Sequence, residues 1–230
     1  MSAFTNLPTH RKISLTAGFL YLLTFVSIPT LSLYTNVKGA DYILGAGSDS
    51  SALIGGLLEI IVALAGIGTA VVLFAILKKQ NETAAIGLIA SRVLEASAIF
   101  IGVGTILTIV SLKQAGAGAD SLAVSNMLAT LYNQIFLISQ SLLPAVNDLL
   151  LGFLLYQSRL VPRALSMIGI VGGPVLIVGF LAVLFGVIEY TSPFKGLSAI
   201  GVALFEFSLG VWLLVKGFSP KSVTALESKK

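Results

Sequence analysis

The chain has 230 residues, 56% of them hydrophobic and only 10% charged, with a net charge of +4 and a mean hydropathy of +0.99. A soluble domain carries about 25% charged residues. This composition therefore excludes a water-soluble globular protein and requires lipid as the solvent for much of the surface. The basic residues lie between apolar runs, so the positive balance points to orientation in a bilayer and not to nucleic acid.

The first apolar run covers residues 13–34 and follows Arg11 and Lys12. It is long for a signal-peptide core and no Ala-x-Ala-like site follows, so it reads as an uncleaved span. Pro29, near its far end, is placed to kink or end it. Residues 36–51 are rich in Gly, Asp and Ser and read as an extracytoplasmic loop. The second and third spans are expected over residues 52–77 and 84–112, and residues 113–120 form a Gly/Ala loop. Residues 121–156 read as one helical stretch. At 1.5 Å per residue they would reach about 54 Å, against about 45 Å for a bilayer with its headgroups. The stretch is thus expected to divide into an interfacial helix over residues 121–131 and a fourth span over residues 134–156. The fifth span is expected over residues 162–188 and the sixth over residues 194–215, with Trp212 and Lys216 suited to the interface. The fold class is an all-α polytopic bundle of about six spans, a single transmembrane domain over residues 1–230.

Lysine and arginine set the expected orientation. Arg11, Lys12, Lys78, Lys79, Arg159, Arg163, Lys216, Lys221, Lys229 and Lys230 fall on one side, and Lys38, Lys113 and Lys195 on the other. That asymmetry in short loops predicts both termini in the cytoplasm of a cell (plasma) membrane protein. Asn81-Glu82-Thr83 has the spacing of a glycosylation acceptor but falls on the cytoplasmic side, where it is expected to be inert.

A charge inside a span costs roughly 2.5–3.5 kcal/mol on insertion scales. Five such residues occur: Glu59, Arg92, Glu95, Asp148 and Glu206. Arg92 and Glu95 are three apart and share a helix face. A bundle that turned these faces inward would bring Arg92, Glu95, Asp148 and Glu206 together at similar depth. One positive and three negative charges would then need a proton, a bound cation, a cationic substrate or water to relieve them. The competing reading is structural: Arg92 pairs with a carboxylate to hold helices together, and Glu206 stays protonated. Glu59 lies in the outer half of its span, where a carboxylate can reach interfacial water.

The fourth span also carries Gln140, Pro144 and Asn147 beside Asp148. Pro144 frees the carbonyl of Gln140, and a kink there would make a polar pocket at mid-membrane. Pro174, after Gly172 and Gly173, is a second expected kink. Interrupted helices with polar groups at mid-depth mark substrate sites in many transporters, although prolines also kink spans for packing alone. Gly169 and Gly173 have the spacing of a helix-packing face. Val93–Ser97 and Leu204–Ser208 form a weak internal echo between the third and sixth spans.

Absences prune the enzyme classes. The chain has no cysteine, and its single histidine, His10, precedes the first span. Disulfides, thiolate metal sites, Ser-His proteolysis and His-Glu-x-x-His zinc chemistry are thereby excluded. There is no phosphate loop, no mid-span retinal lysine and no credible haem ligand pair. No enzyme activity, cofactor or metal is expected.

Three segments carry a family resemblance: Ala90–Ala96, Leu151–Arg163 and Phe205–Phe218, together with Gly18–Leu22. They resemble a prokaryotic membrane family catalogued as domain of unknown function 4386, from about Lys12 to Phe218. The resemblance implies a six-helix membrane protein. It includes Arg92, Glu95, Arg159, Pro162, Arg163 and Glu206 in the family pattern, leaves Asp148 outside it, and carries no activity to transfer.

The expected function is therefore a multipass membrane protein of unknown activity. The leading mechanism is a proton- or cation-coupled small-molecule carrier, with Glu95, Asp148 and Glu206 as sites, Asn147 beside them and Arg92 as counter-charge. The alternative is a non-catalytic module that binds lipid or partner proteins, with Arg159 and Arg163 meeting anionic headgroups. The expected partners are the lipid bilayer and a proton or small cation; the sequence leaves the oligomeric state open.

Overall fold

The computed structural model describes residues 7–228. Lys229 and Lys230, which entered the charge count, lie outside the described residues. The described chain is helical throughout, with no strand. Helix α1 spans Thr9–Thr24, α2 Thr30–Leu33, α3 Ala40–Ile43, α4 Asp49–Leu77 and α5 Glu82–Gln114. Helix α6 spans Leu122–Leu137, α7 Leu143–Ser158, α8 Arg163–Leu184, α9 Pro193–Val215 and α10 Pro220–Glu227. Among the described residues, six helical runs are long and apolar enough to cross a membrane: Thr9–Leu33, Asp49–Leu77, Glu82–Gln114, Gly118–Ser158, Arg163–Leu184 and Pro193–Val215.

Local chemistry explains the helix ends. Ser48 Oγ accepts from Ser50 N–H at the start of α4, and Asn81 Oδ1 accepts from Ala84 N–H at the start of α5. Asp49 and Glu82 occupy the first turns, where the helix dipole favours negative charge. The fifth span ends at Leu184, short of the expected 188. Gly186 takes a positive φ of 69° and Val187 N–H bonds back to Ala182 O at 2.8 Å, a glycine stop that composition alone does not locate.

Two spans shape the interior, the first with an interruption beside the proline placed to kink or end it. The first span is interrupted: α1 stops at Thr24, a 3-10 turn covers Phe25–Ser27, and α2 resumes at Thr30. Pro29 has no N–H to continue the ladder, and the hydroxyls of Thr24, Ser27 and Thr30 each donate to a carbonyl three residues back. The fourth span shows no break near residues 131–134. Helical structure is continuous over Gly118–Ser158, 41 residues, with a π turn at Ile138–Leu142. Pro144 follows that turn directly, so the wide turn absorbs the proline without ending the helix. Length alone had suggested two helices; the long run instead packs its first half, α6, against α5. Pro174, the second expected kink, lies within α8, which continues through it, and faces outward.

The six runs form a closed ring in chain order. Helix α4 packs on α5, α5 on α6 and α7, α7 on α8, α8 on α9, and α9 returns to α1, which packs on α4. Lipid is as apolar as leucine, so close backbone approach and not water exclusion holds such helices together. At the α8–α9 seam a Cβ on Gly172 would lie 2.8 Å from the backbone carbon of Gly201, so only glycine permits this contact. Gly169 meets the Phe205 ring of α9 while Gly173 meets Ala145 and Leu149 of α7. The expected packing pair thus serves two neighbours.

The ring is filled unevenly. At the end that carries the termini, one apolar cluster joins Ala17, Leu73, Leu155, Leu209 and Leu213, and α10 adds Val223 and Leu226. Toward the other end, which carries the 34–48 loop, the core divides into three smaller clusters.

Candidate proton or cation site

The charged residues of three spans meet inside the ring. Helix α5 contributes Arg92 and Glu95 on one face, α9 contributes Glu206, and α7 contributes Asn147 and Asp148. Arg92 Nη1 donates to Glu95 Oε2 at 3.0 Å, and Arg92 Nη2 donates to Glu206 Oε1. Asn147 Nδ2 donates to the same Glu95 Oε2 at 2.7 Å. The guanidinium lies 5.9 Å from the ring centre of Tyr21, on α1. Gly66 of α4 faces the arginine: a Cβ there would lie in ordinary contact, 3.9 Å from Arg92 Cδ and Nη1. The pairs are nearly dry, with side chains 4% exposed for Arg92, 8% for Glu95 and 13% for Glu206.

Asp148 stands behind this triad. It is fully buried, and neither carboxyl oxygen has a hydrogen-bond partner. The charges of Glu206, Arg92 and Glu95 act on it. Asn147 Oδ1 and Ser166 Oγ are likewise buried and unpaired. Most buried polar atoms in folded proteins are paired, so a concentration of exceptions here sets the site apart from the rest of the interior. One guanidinium faces three carboxyl groups. Burying the two excess charges bare would cost several kcal/mol each, so protons, cations or water must accompany them.

A cavity of 180 Å³ adjoins the triad on the loop side. Arg92, Glu95 and Glu206 form one wall, and the interrupted stretch from Thr24 to Ile28 forms another. Gln140, in the π turn, and Pro144 close it on the α7 side. The volume holds several waters or a small partly hydrated cation. Asp148 does not line the cavity, whereas Arg92, Glu95 and Glu206 do.

A second polar cluster lies closer to the loop end. Glu59 is 3% exposed, contrary to the expectation that it reaches interfacial water. Tyr132 OH donates to Glu59 Oε1 at 2.6 Å and Tyr34 OH donates to Oε2 at 3.1 Å. The tyrosine rings stack edge to face, 5.2 Å apart, and seal the carboxyl from the bilayer interface. Lys38, in the loop, donates to Asn133 Oδ1 and sits over the Tyr132 ring. Burial holds its ammonium below the usual lysine range, with the charge of Glu59 acting in the opposite sense. A void of 10 Å³ beside Glu59 shares Ile99 and Gln140 with the larger cavity.

Of the residues singled out in the sequence, Arg92, Glu95, Asn147, Asp148 and Glu206 come together, and Pro144 lines the cavity. Pro174 contributes nothing to it. Arg159 and Arg163 lie at the terminal end of the bundle. Sequence reasoning missed Tyr34, Tyr132 and Ser166, and took up Tyr21 only within the family resemblance, because an uncharged tyrosine or serine in an apolar span carries no burial cost that marks it. Among the described residues, no group of three or more histidine, aspartate or glutamate side chains is arranged to hold a metal ion.

The family described as domain of unknown function (DUF4386) matches residues 16–217. The chain belongs to this family. No curated protein and no solved structure matches it. The matched residues enclose both polar clusters. With six membrane-capable helices, this DUF4386 chain is a multipass membrane protein.

Proposed function

We propose that this DUF4386 protein is a small carrier, not an enzyme, whose central cluster takes up and releases a proton or a small cation as it moves a small solute. The observation that carries the reading is the excess of carboxyl groups over guanidinium at the wall of a cavity, with Asp148 buried and unpaired nearby. A purely structural ion pair needs one partner for Arg92 and no cavity. Here two carboxylates share the guanidinium and a third is held near without a donor. A charge arriving from the cavity would change how Arg92 divides itself between Glu95 and Glu206. Arg92 is thereby the counter-charge, Glu206 the gate to the cavity, and Glu95, fixed by Asn147, the inner partner.

Two structural features favour this reading over a packing role. The first span is unwound beside the cavity, and broken spans commonly frame transporter sites. The π turn beside Pro144 places Gln140 between the two polar clusters, and such turns recur at functional positions. The proposal places both termini in the cytoplasm of the cell membrane, from the lysine and arginine asymmetry, so the cavity faces outward.

The test is a carboxyl titration. The infrared band of protonated carboxyl groups is followed in liposomes from about pH 5 to pH 9, in the native chain and in Glu95→Gln, Asp148→Asn and Glu206→Gln. A band that changes with pH or with added cation, and disappears in one variant, is the expected result. Carboxyl groups that keep one state throughout would remove the carrier reading.

A further inference from the structure

A second cavity, of 540 Å³, opens at the terminal end of the bundle, between the α7–α8 turn and the end of α9. Arg159, Arg163 and Lys216 line it, and no carboxylate does. Arg159 and Lys216 make no side-chain hydrogen bond or ion pair among the described residues, and Arg163 only overlies the ring of Tyr156, at 4.8 Å. Three cations around one hollow repel one another and call for an anion. Neighbouring cations are occupied elsewhere: Arg11 donates to the last carbonyls of α9, Leu213 and Leu214, and Lys79 pairs with Glu227. Arg159 also holds a left-handed backbone conformation, φ 54°, which is uncommon for a residue with a side chain. Its carbonyl is fixed by Ser222 Oγ at 2.8 Å.

An apolar groove of 330 Å³ runs from this hollow along the outer face of α9, lined by Phe207, Val211, Trp212, Val215 and Lys216. Trp212 and Lys216 belong to both. The indole is held at the junction by its N–H bond to Gly217 O at 3.1 Å. From Phe207 to Val215 the groove extends about 12 Å along the helix. A basic hollow continuous with a lipid-facing apolar groove matches one molecule with an anionic head and an apolar tail. A soluble phosphate would use the hollow and leave the groove empty.

We infer that this composite pocket binds an anionic phospholipid, its phosphate among Arg159, Arg163 and Lys216 and one acyl chain along Phe207, Val211 and Val215. The basic hollow shares no lining residue with the central cavity, and the inference stands whether or not the protein is a carrier.

Trp212 is the chain's single tryptophan, so its fluorescence reports on the junction directly. The experiment titrates the full chain in neutral detergent micelles with phosphatidylglycerol or phosphatidylcholine, each bearing brominated acyl chains that quench the indole on contact. Phosphatidylglycerol is expected to quench at a mole fraction lower by about tenfold or more. The preference should vanish in the Arg159→Gln, Arg163→Gln, Lys216→Gln triple variant. It should persist in Lys78→Gln, Lys79→Gln, which removes two charges from the same end but outside the pocket. Equal quenching by the two lipids in the native chain overturns the proposal without reference to any variant. So does a preference that survives the triple change. Displacement of the brominated lipid by glycerol phosphate as readily as by phosphatidylglycerol would assign the hollow to a soluble anion instead.

Discussion

The two halves of the bundle are built on the same six helices yet solve different problems. The terminal half is one apolar cluster fed by every span and capped by α10, whose Ser219 N–H donates to Leu160 O at 2.8 Å. The loop half is divided, polar and hollow, with the cavity, the interrupted first span, the π turn and the tyrosine-bound Glu59. The charged triad lies where the halves meet. A bundle whose charges served only to pin helices together would gain nothing from leaving one side of them open. On the proposed carrier reading, the asymmetry corresponds to an access path blocked at one end, and the terminal half is the part that would have to loosen for passage.

The sharpest way to break the comparison uses solvent access. The chain has no cysteine, so single cysteines report cleanly. Ala63 and Ala70 lie two turns apart on α4 and are each 2% exposed, but Ala63 lines the cavity and Ala70 belongs to the terminal cluster. Ala63→Cys is expected to react with a small water-soluble thiol reagent about tenfold faster or more, because only wetted thiols form the reactive thiolate. Equal rates would mean that the two halves are equally dry.

Stability tests follow in order of size. Arg92→Ala leaves Glu95 and Glu206 buried without their partner and should cost about 3–5 kcal/mol, read as a drop in the unfolding midpoint in detergent. Glu206→Gln in the same assay should cost less, since Arg92 retains Glu95. Leu213→Ala in the terminal cluster should cost roughly 2 kcal/mol, from lost packing contacts alone, because lipid offsets the transfer part. Tyr132→Phe removes one of two hydrogen bonds to Glu59 and should cost about 1 kcal/mol. If Tyr132→Phe proved costlier than Leu213→Ala, the loop half would be the structural anchor and the comparison would invert.

Much of this was legible in the sequence, for identifiable reasons. Span count and fold class follow from hydropathy, which is strong because an exposed backbone cannot be tolerated in lipid. The meeting of Arg92, Glu95, Asp148 and Glu206 follows from depth and from the cost of leaving any of them facing lipid. What failed was local. The continuous run over Gly118–Ser158 defeated an argument from length, since a helix can extend beyond the bilayer while packed on a neighbour. Pro29, Pro144 and Pro174 read alike in sequence, yet one unwinds a helix, one follows a π turn and one faces outward. Neighbouring hydroxyls and ring position decide among these outcomes, and both are tertiary facts. Glu59 looked solvated because its partners, Tyr34 and Tyr132, lie 25 and 73 residues away along the chain.

The closed ring has a consequence for how the protein comes into being. Arg92 and Glu206 are 114 residues apart, which at about 5–20 residues per second separates their synthesis by roughly 6–23 s. During that interval the third span enters the bilayer with its arginine satisfied by Glu95 alone, and the seam between the first and last spans cannot exist. A chain that stalls before the sixth span has an open ring in which Arg92 lacks Glu206. An unfinished molecule thus differs from a finished one in the helix seam it leaves unpacked as well as in its length.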